Sequence, residues 1–112
     1  MLWSSSLNII FAVYDSPAKP RWQQFTDSWT AGMPDSDPSF VPPSGLIQPI
    51  RGFGLVWRQS ARVRDRLGWA TGPELPYLGA FQIDMDGERY MQSNTGQVYH
   101  LYADQSNWEL LH

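Results

Sequence analysis

The chain has 112 residues, eight Lys or Arg against eleven Asp or Glu, two His and no cysteine. That length makes one domain, the net charge of −3 argues against a dedicated nucleic-acid binder, and without cysteine no disulfide or thiolate metal site can form. Leu7 to Tyr14 is the most apolar stretch and is far too short to span a bilayer. It also lacks a basic flank and a cleavage site, so Met1 is not expected to begin a signal peptide.

Met1-Leu2-Trp3 reads as a short strand, followed by a turn over Ser4–Asn8. Ile9-Ile10-Phe11-Ala12-Val13-Tyr14 is β-branched and aromatic, which predicts a second strand. Asp15 to Pro20 is a two-proline loop. Arg21-Trp22-Gln23-Gln24-Phe25 then alternates apolar and polar residues, as a half-buried strand does.

The C-terminal part lays over this beginning. Glu88-Arg89-Tyr90-Met91 falls on the first strand, and Ser93-Asn94-Thr95-Gly96 on the serine turn. Val98 to Tyr102 falls on Ile10 to Tyr14 in constant register, and Trp108 on Trp22 after a loop, Ala103 to Asn107, two residues shorter. The pattern reads as an internal repeat of a three-strand meander. The first copy has no counterpart to Phe81–Gly87, which makes its N-terminal edge a possible assembly site.

Between the copies, Thr26 to Gln48 carries Pro34, Pro38, Pro42 and Pro43, which forbid regular structure. A loop this long is either ordered by packing or functional, and Trp29 and Phe40 are the residues expected to pin it. Pro49 suits the first position of a helix, with Phe53, Val56 and Trp57 at helical spacing. Ser60 is the expected N-cap of a second helix, on which Val63 and Leu67 share a face and Gly68 makes the stop. Trp3, Trp22, Trp57, Trp69 and Trp108 are expected in the core.

Leu67-Gly68-Trp69-Ala70-Thr71-Gly72-Pro73-Glu74, followed at matching spacing by Phe81-Gln82, Gly87, Tyr90 and Thr95-Gly96, resembles the motif of the LGFP repeat family. Ala70 stands where that family usually has proline, Met91 where an aromatic is common, and Arg89 where an apolar residue is expected. The remainder is similar to segments of uncharacterised exported bacterial proteins. The resemblance implies a non-catalytic repeat of exported bacterial proteins, bound or anchored to the cell envelope.

Asp84-Met85-Asp86-Gly87-Glu88 is part of a calcium-loop pattern, which makes Asp84 and Asp86 weak metal candidates. Asp86-Gly87 is equally a hairpin-turn dipeptide, and the turn is the favoured reading. Arg51, Arg58, Arg62, Arg64 and Arg66 form a basic cluster suited to an anionic polymer or a protein partner. Trp69 is a candidate pocket wall. His100 is expected on the solvent side of a strand with no partner evident. No serine has the context of a nucleophile, and nothing resembles a catalytic constellation.

The expected fold is therefore mainly β. Two antiparallel three-stranded meander units flank a Pro-rich loop and two short helices: residues 1–25 a partial first copy, 26–48 the loop, 49–68 the helices and 69–112 the second copy. The expected function is a non-catalytic extracellular or cell-surface module that recognises a cell-envelope polymer, such as cell-wall glycan, or a protein partner. Its tentative binding residues are Trp69, Arg58, Arg62 and Arg66, with no cofactor. The alternative is an accessory structural subunit of a larger bacterial assembly.

Overall fold

The computed structural model describes residues 1–4, 7–72, 81–93 and 96–111. Its elements run β1 (Leu2–Ser4), β2 (Ile9–Val13), β3 (Trp22–Thr26), α1 (Arg51–Gln59), α2 (Ala61–Leu67), β4 (Phe81–Ile83), β5 (Arg89–Gln92), β6 (Val98–Leu101) and β7 (Trp108–Leu110). The fold is mainly β, with two antiparallel sheets ordered β1-β2-β3 and β4-β5-β6-β7. The second sheet holds one strand more than the meander predicts. That strand, β4, pairs with β5, and its Phe81 ring stacks on Phe11 at 5.4 Å. The expected turns over Ser4–Asn8 and Ser93–Gly96, the motif positions Pro73, Glu74 and Thr95, and His112 fall partly or wholly outside the described residues.

β2 is the centre of the molecule. Ile10, Phe11 and Ala12 are all fully buried, so both faces of this strand are covered. The continuous apolar run Ile9–Val13 is what such a strand requires. Alternation of side chains then sorts the core into two parts. Ile10, Ala12 and Tyr14 pack with Val56, Trp57 and Val63 of the helices. Phe11 packs with Trp22 and with Met91 and Leu101 of the second sheet. The layers are therefore helices, first sheet, second sheet.

The two sheets meet through matching residues. Val13 stands opposite Trp22 as Leu101 stands opposite Trp108, and Ala12 opposite Gln23 as His100 opposite Glu109. The indole of Trp22 donates to the Tyr102 carbonyl at 2.9 Å, and the indole of Trp108 donates to the Tyr14 carbonyl at 2.8 Å. Arg21 and Asn107, which precede the two tryptophans, bond to each other at 3.0 Å. Each sheet thus satisfies a hydrogen-bonding group of the other at the place where an indole N–H entering a core needs a partner.

The first strands do not keep the register that the sequence overlay assigns. Leu2 pairs with Phe11 and Met91 with Tyr99, so Met91 corresponds to Leu2 rather than to Trp3. The cause is loop length. Residues 5–8 connect the paired ends Ser4 and Ile9, whereas residues 93–97, one more, connect Gln92 and Val98.

Trp3 also departs from expectation. Its register places it beside Ile10, but on the terminal strand of the sheet, and it is 44% exposed. Trp22 and Trp57 lie in the core, while Trp69 and Trp108 are half-buried.

Pro49 lies outside α1. The Arg51 N–H donates to the Asp35 carbonyl at 3.0 Å, and Arg51 has a φ of 55°, so the chain turns at the first residue of the helix. Ile50, extended, is the N-cap and offers no side-chain bond. The loop supplies what the cap lacks. A Cβ at Gly52 would stand 2.5 Å from Asp27 Oδ1, so glycine admits that carboxylate to the first turn, where the helix dipole favours it.

Gly54 is tighter still. A Cβ there would meet the Pro49 carbonyl oxygen at 2.5 Å, a backbone atom with no freedom to move aside. In an open helix, Gly→Ala stabilises by about 1 kcal/mol. Here Gly54→Ala is expected to destabilise by about 1–3 kcal/mol through overpacking. Chemical denaturation of the variant checks the sign.

The long loop is ordered by packing. Phe40 meets Trp57 edge-on at 5.1 Å, and Gln48 bonds to both the N–H and the carbonyl of Asp37. Ile47 and Ala70 exchange two backbone bonds of 2.9 Å, which tie the loop to the segment after α2.

Candidate functional site

The arginines lie at the helical end of the layer stack. Ser60 separates them into two groups. Its extended backbone ends α1, and its Oγ accepts from the Val63 N–H at 3.3 Å to cap α2. Arg58, Arg62 and Arg66 therefore do not form one unbroken helical stripe.

Each arginine has a different setting. Arg66 turns back over the Asp15–Pro20 loop and donates to the carbonyls of Ser16, Ala18 and Pro20 and to the Ser16 hydroxyl. Its guanidinium lies 3.9 Å from the centre of the Tyr14 ring. Of the sequence candidates, it is the one most committed to the fold. Arg64 reaches the carbonyls of Trp57 and Arg58 and lies over Phe40. Arg58 donates to the Asp35 carbonyl at 3.1 Å. Arg62 is exposed, and its side chain makes no hydrogen bond among the described residues.

These contacts go to carbonyls and a hydroxyl rather than to carboxylates, and Asp37 is held below the usual carboxylate range first by hydrogen bonds from Ser39 and more weakly by the charge of Arg58. Arg58, Arg62, Arg64 and Arg66 form no ion pair among the described residues. Burial raises the Tyr14 phenol above its usual range, and the positive charges of Arg66 and Arg62 act in the opposite sense.

Trp69 follows Gly68, whose positive φ of 69° ends α2. It tilts against Trp57 with ring centres 5.1 Å apart, and the Trp57 indole donates to the Gly68 carbonyl at 2.8 Å. Trp69 is half-buried, and its own indole N–H makes no hydrogen bond among the described residues. The residue keeps a donor and part of a ring face at the helical end.

Asp84 and Asp86 form a turn. Asp84 Oδ1 accepts from the N–H groups of Asp86 and Glu88 at 2.9 and 3.0 Å, and Gly87 takes a φ of 84°. The Asp84 carboxylate thus holds the β4–β5 hairpin closed.

A third group was not singled out from sequence. On the outer face of the second sheet, His100 lies between the rings of Tyr90 and Tyr102, at 4.7 and 4.3 Å. Its Nε2 meets Glu88 at 3.0 Å and its Nδ1 meets Glu109 at 3.1 Å. Glu88 also accepts from the Ala103 N–H at 2.6 Å. His100 was expected on the solvent side without a partner. It does face outward, but with two carboxylates and two rings around it.

Desolvation and the neighbouring carboxylates raise both tyrosines. For Tyr90 the carboxylates are Asp84, Glu88 and Glu109, and for Tyr102 they are Glu109 and Glu88. The signal for this cluster is cross-strand register, which sets Tyr90 opposite His100 and His100 opposite Glu109.

The molecule thus has a basic end and an acidic end. Residues 51–67 hold five arginines against one aspartate, and residues 81–111 hold five carboxylates against one arginine. No family model, no curated protein and no solved structure matches the chain.

Proposed function

We propose that this chain is a non-catalytic extracellular module that binds or anchors to an anionic polymer of the bacterial cell envelope through its helical end. One observation carries the reading: Arg58, Arg62, Arg64 and Arg66 gather at that end and none of them forms an ion pair among the described residues. Such a surface attracts carboxylate or phosphate groups, which guanidinium groups recognise with fixed geometry. Trp69 adds a partly exposed ring beside them, and aromatic rings pack against sugar faces. The resemblance to the LGFP motif agrees, since that motif begins at Leu67, the last residue of α2, and includes Trp69.

Retention on isolated bacterial cell wall tests the proposal. Arg62→Glu removes an exposed cation without removing a hydrogen bond, so its fold is expected to persist. Its retention should fall roughly tenfold at low salt, and binding of the parent protein should fade as salt approaches about 1 M. Trp69→Ala should also weaken retention. Equal retention of Arg62→Glu and the parent protein would contradict the reading.

The acidic aromatic face favours a second reading, an accessory structural subunit that acts through protein–protein contacts. Co-purification with a partner complex and no retention on cell wall would favour it over the first.

A further inference from the structure

We propose that the outer face of the second sheet is a docking surface for the helical end of a second copy of this chain. Three observations converge on that occupant.

The first is position. In the first sheet, the face carrying Ile10, Ala12 and Tyr14 is covered by α1 and α2. By strand register, His100 and Tyr102 stand in the second sheet where Ala12 and Tyr14 stand in the first. Tyr90, His100 and Tyr102 belong to neither core cluster. The matching face therefore has no helices packed on it among the described residues.

The second is charge. The uncovered face presents Glu88 and Glu109, whose only ion-pair partner among the described residues is His100. The helical end presents Arg58, Arg62, Arg64 and Arg66, which form no ion pair among the described residues. The two surfaces lie at opposite ends of the layer stack, so one chain cannot join its own. A neighbouring copy can, and complementary potentials would steer the encounter.

The third is a template within the chain. Arg66 of α2 lies 3.9 Å from the Tyr14 ring on the covered face. Tyr102 is the counterpart of Tyr14. His100 occupies one face of Tyr102, and no other ring or cation contacts it among the described residues. A guanidinium over an aromatic face is attractive, so an arginine of the second copy finds on Tyr102 a contact like the one Arg66 makes on Tyr14. The contact is head-to-tail, and repeated it continues the order of helices, sheet, sheet.

Sedimentation equilibrium of the full chain tests this. The weight-average mass should rise with protein concentration at about 10 mM salt and return to the monomer value at about 1 M, where the screening length shrinks from about 30 Å to about 3 Å. Arg62→Glu and Glu109→Lys should each weaken association roughly tenfold, and an equimolar mixture of the two should restore it, because the intact Arg62 of one variant meets the intact Glu109 of the other and the swapped charges meet at the next contact. Arg62→Glu decides the matter alone if Glu109→Lys proves unfolded by circular dichroism. The proposal does not rest on polymer binding. Glu109→Lys should lose self-association while keeping retention on cell wall. A monomeric mass at every concentration, or Arg62→Glu associating like the parent chain, would overturn it.

Discussion

Trp22→Ala is expected to lower stability by about 3–5 kcal/mol, as large-to-small changes at buried aromatics do. Trp22 is 1% exposed and packs between the sheets against Phe11, with ring centres 6.1 Å apart. Its removal opens a cavity in the sheet–sheet core and leaves the Tyr102 carbonyl without its indole donor. A domain of this size is stable by about 5–15 kcal/mol in all, so the loss is at least about a fifth of that stability and can be most of it. Trp22→Phe separates the two contributions. It keeps most of the apolar volume and removes the bond, and is expected to cost about 1–2 kcal/mol. Denaturation by guanidinium measures both. A Trp22→Ala midpoint near that of the parent protein would mean that the sheets are not joined here.

Arg66→Ala is expected to cost about 2–3 kcal/mol, although the residue is charged and lies near the surface. Its guanidinium holds three carbonyls and a hydroxyl of the Asp15–Pro20 loop and covers the Tyr14 ring. Hydrogen bonds with a charged donor contribute about 1.5–3 kcal/mol each at most, and part of that strength is lost to solvent here. The cation–ring contact adds about 0.5–1 kcal/mol. Arg66→Lys keeps the charge but not the planar fork, and should fall between alanine and the parent protein. Arg62→Ala is the control: the Arg62 side chain makes no hydrogen bond among the described residues, so its stability change should stay within about 0.5 kcal/mol. If Arg66→Ala were as mild as Arg62→Ala, the loop would not depend on Arg66.

What was legible in the sequence was what depends on neighbours along the chain. The β-branched run at Ile9–Val13 forms the central strand, and Ser60 and Gly68 bound α2 as their chemistry requires. The overlay of Trp22 on Trp108 anticipated the matching pairs Val13–Trp22 and Leu101–Trp108. What was not legible depends on contacts between distant residues. Arg66 reads as a free helical cation until the loop 50 residues earlier lies beneath it. His100 has no partner in its own strand, and Glu88, just before β5, and Glu109 of β7 reach it from either side. Pro49 satisfies every local rule for starting a helix, yet a bond from Arg51 to Asp35 moves the start two residues on. The one-residue slip of β5 against β1 arises in loop length, which strand patterns do not encode.

The same division holds for the residues of the helical end. The basic cluster and Trp69 were visible as residue types. Which arginine is occupied and which is exposed was not, because carbonyl partners leave no trace in sequence. Arg62 is exposed and its side chain makes no hydrogen bond among the described residues, which makes it the residue on which both binding experiments turn. The acidic aromatic face could not be found from any motif, since it exists only once β5, β6 and β7 are paired.

The central claim is a division of the tryptophans, with Trp22 and Trp108 joining the two sheets, Trp57 closing α2, and Trp69 left at the surface of the helical end. Hydrogen exchange of the indole N–H groups, followed by assigned NMR signals, tests this in one measurement. The indoles of Trp22, Trp57 and Trp108 should exchange slowly, because each donates to a backbone carbonyl at 2.8–2.9 Å. The indole of Trp69 should exchange fastest of the four. Exchange at Trp22 or Trp108 as fast as at Trp69 would contradict the packing of the sheets, and protection of Trp69 equal to theirs would remove it from the binding surface.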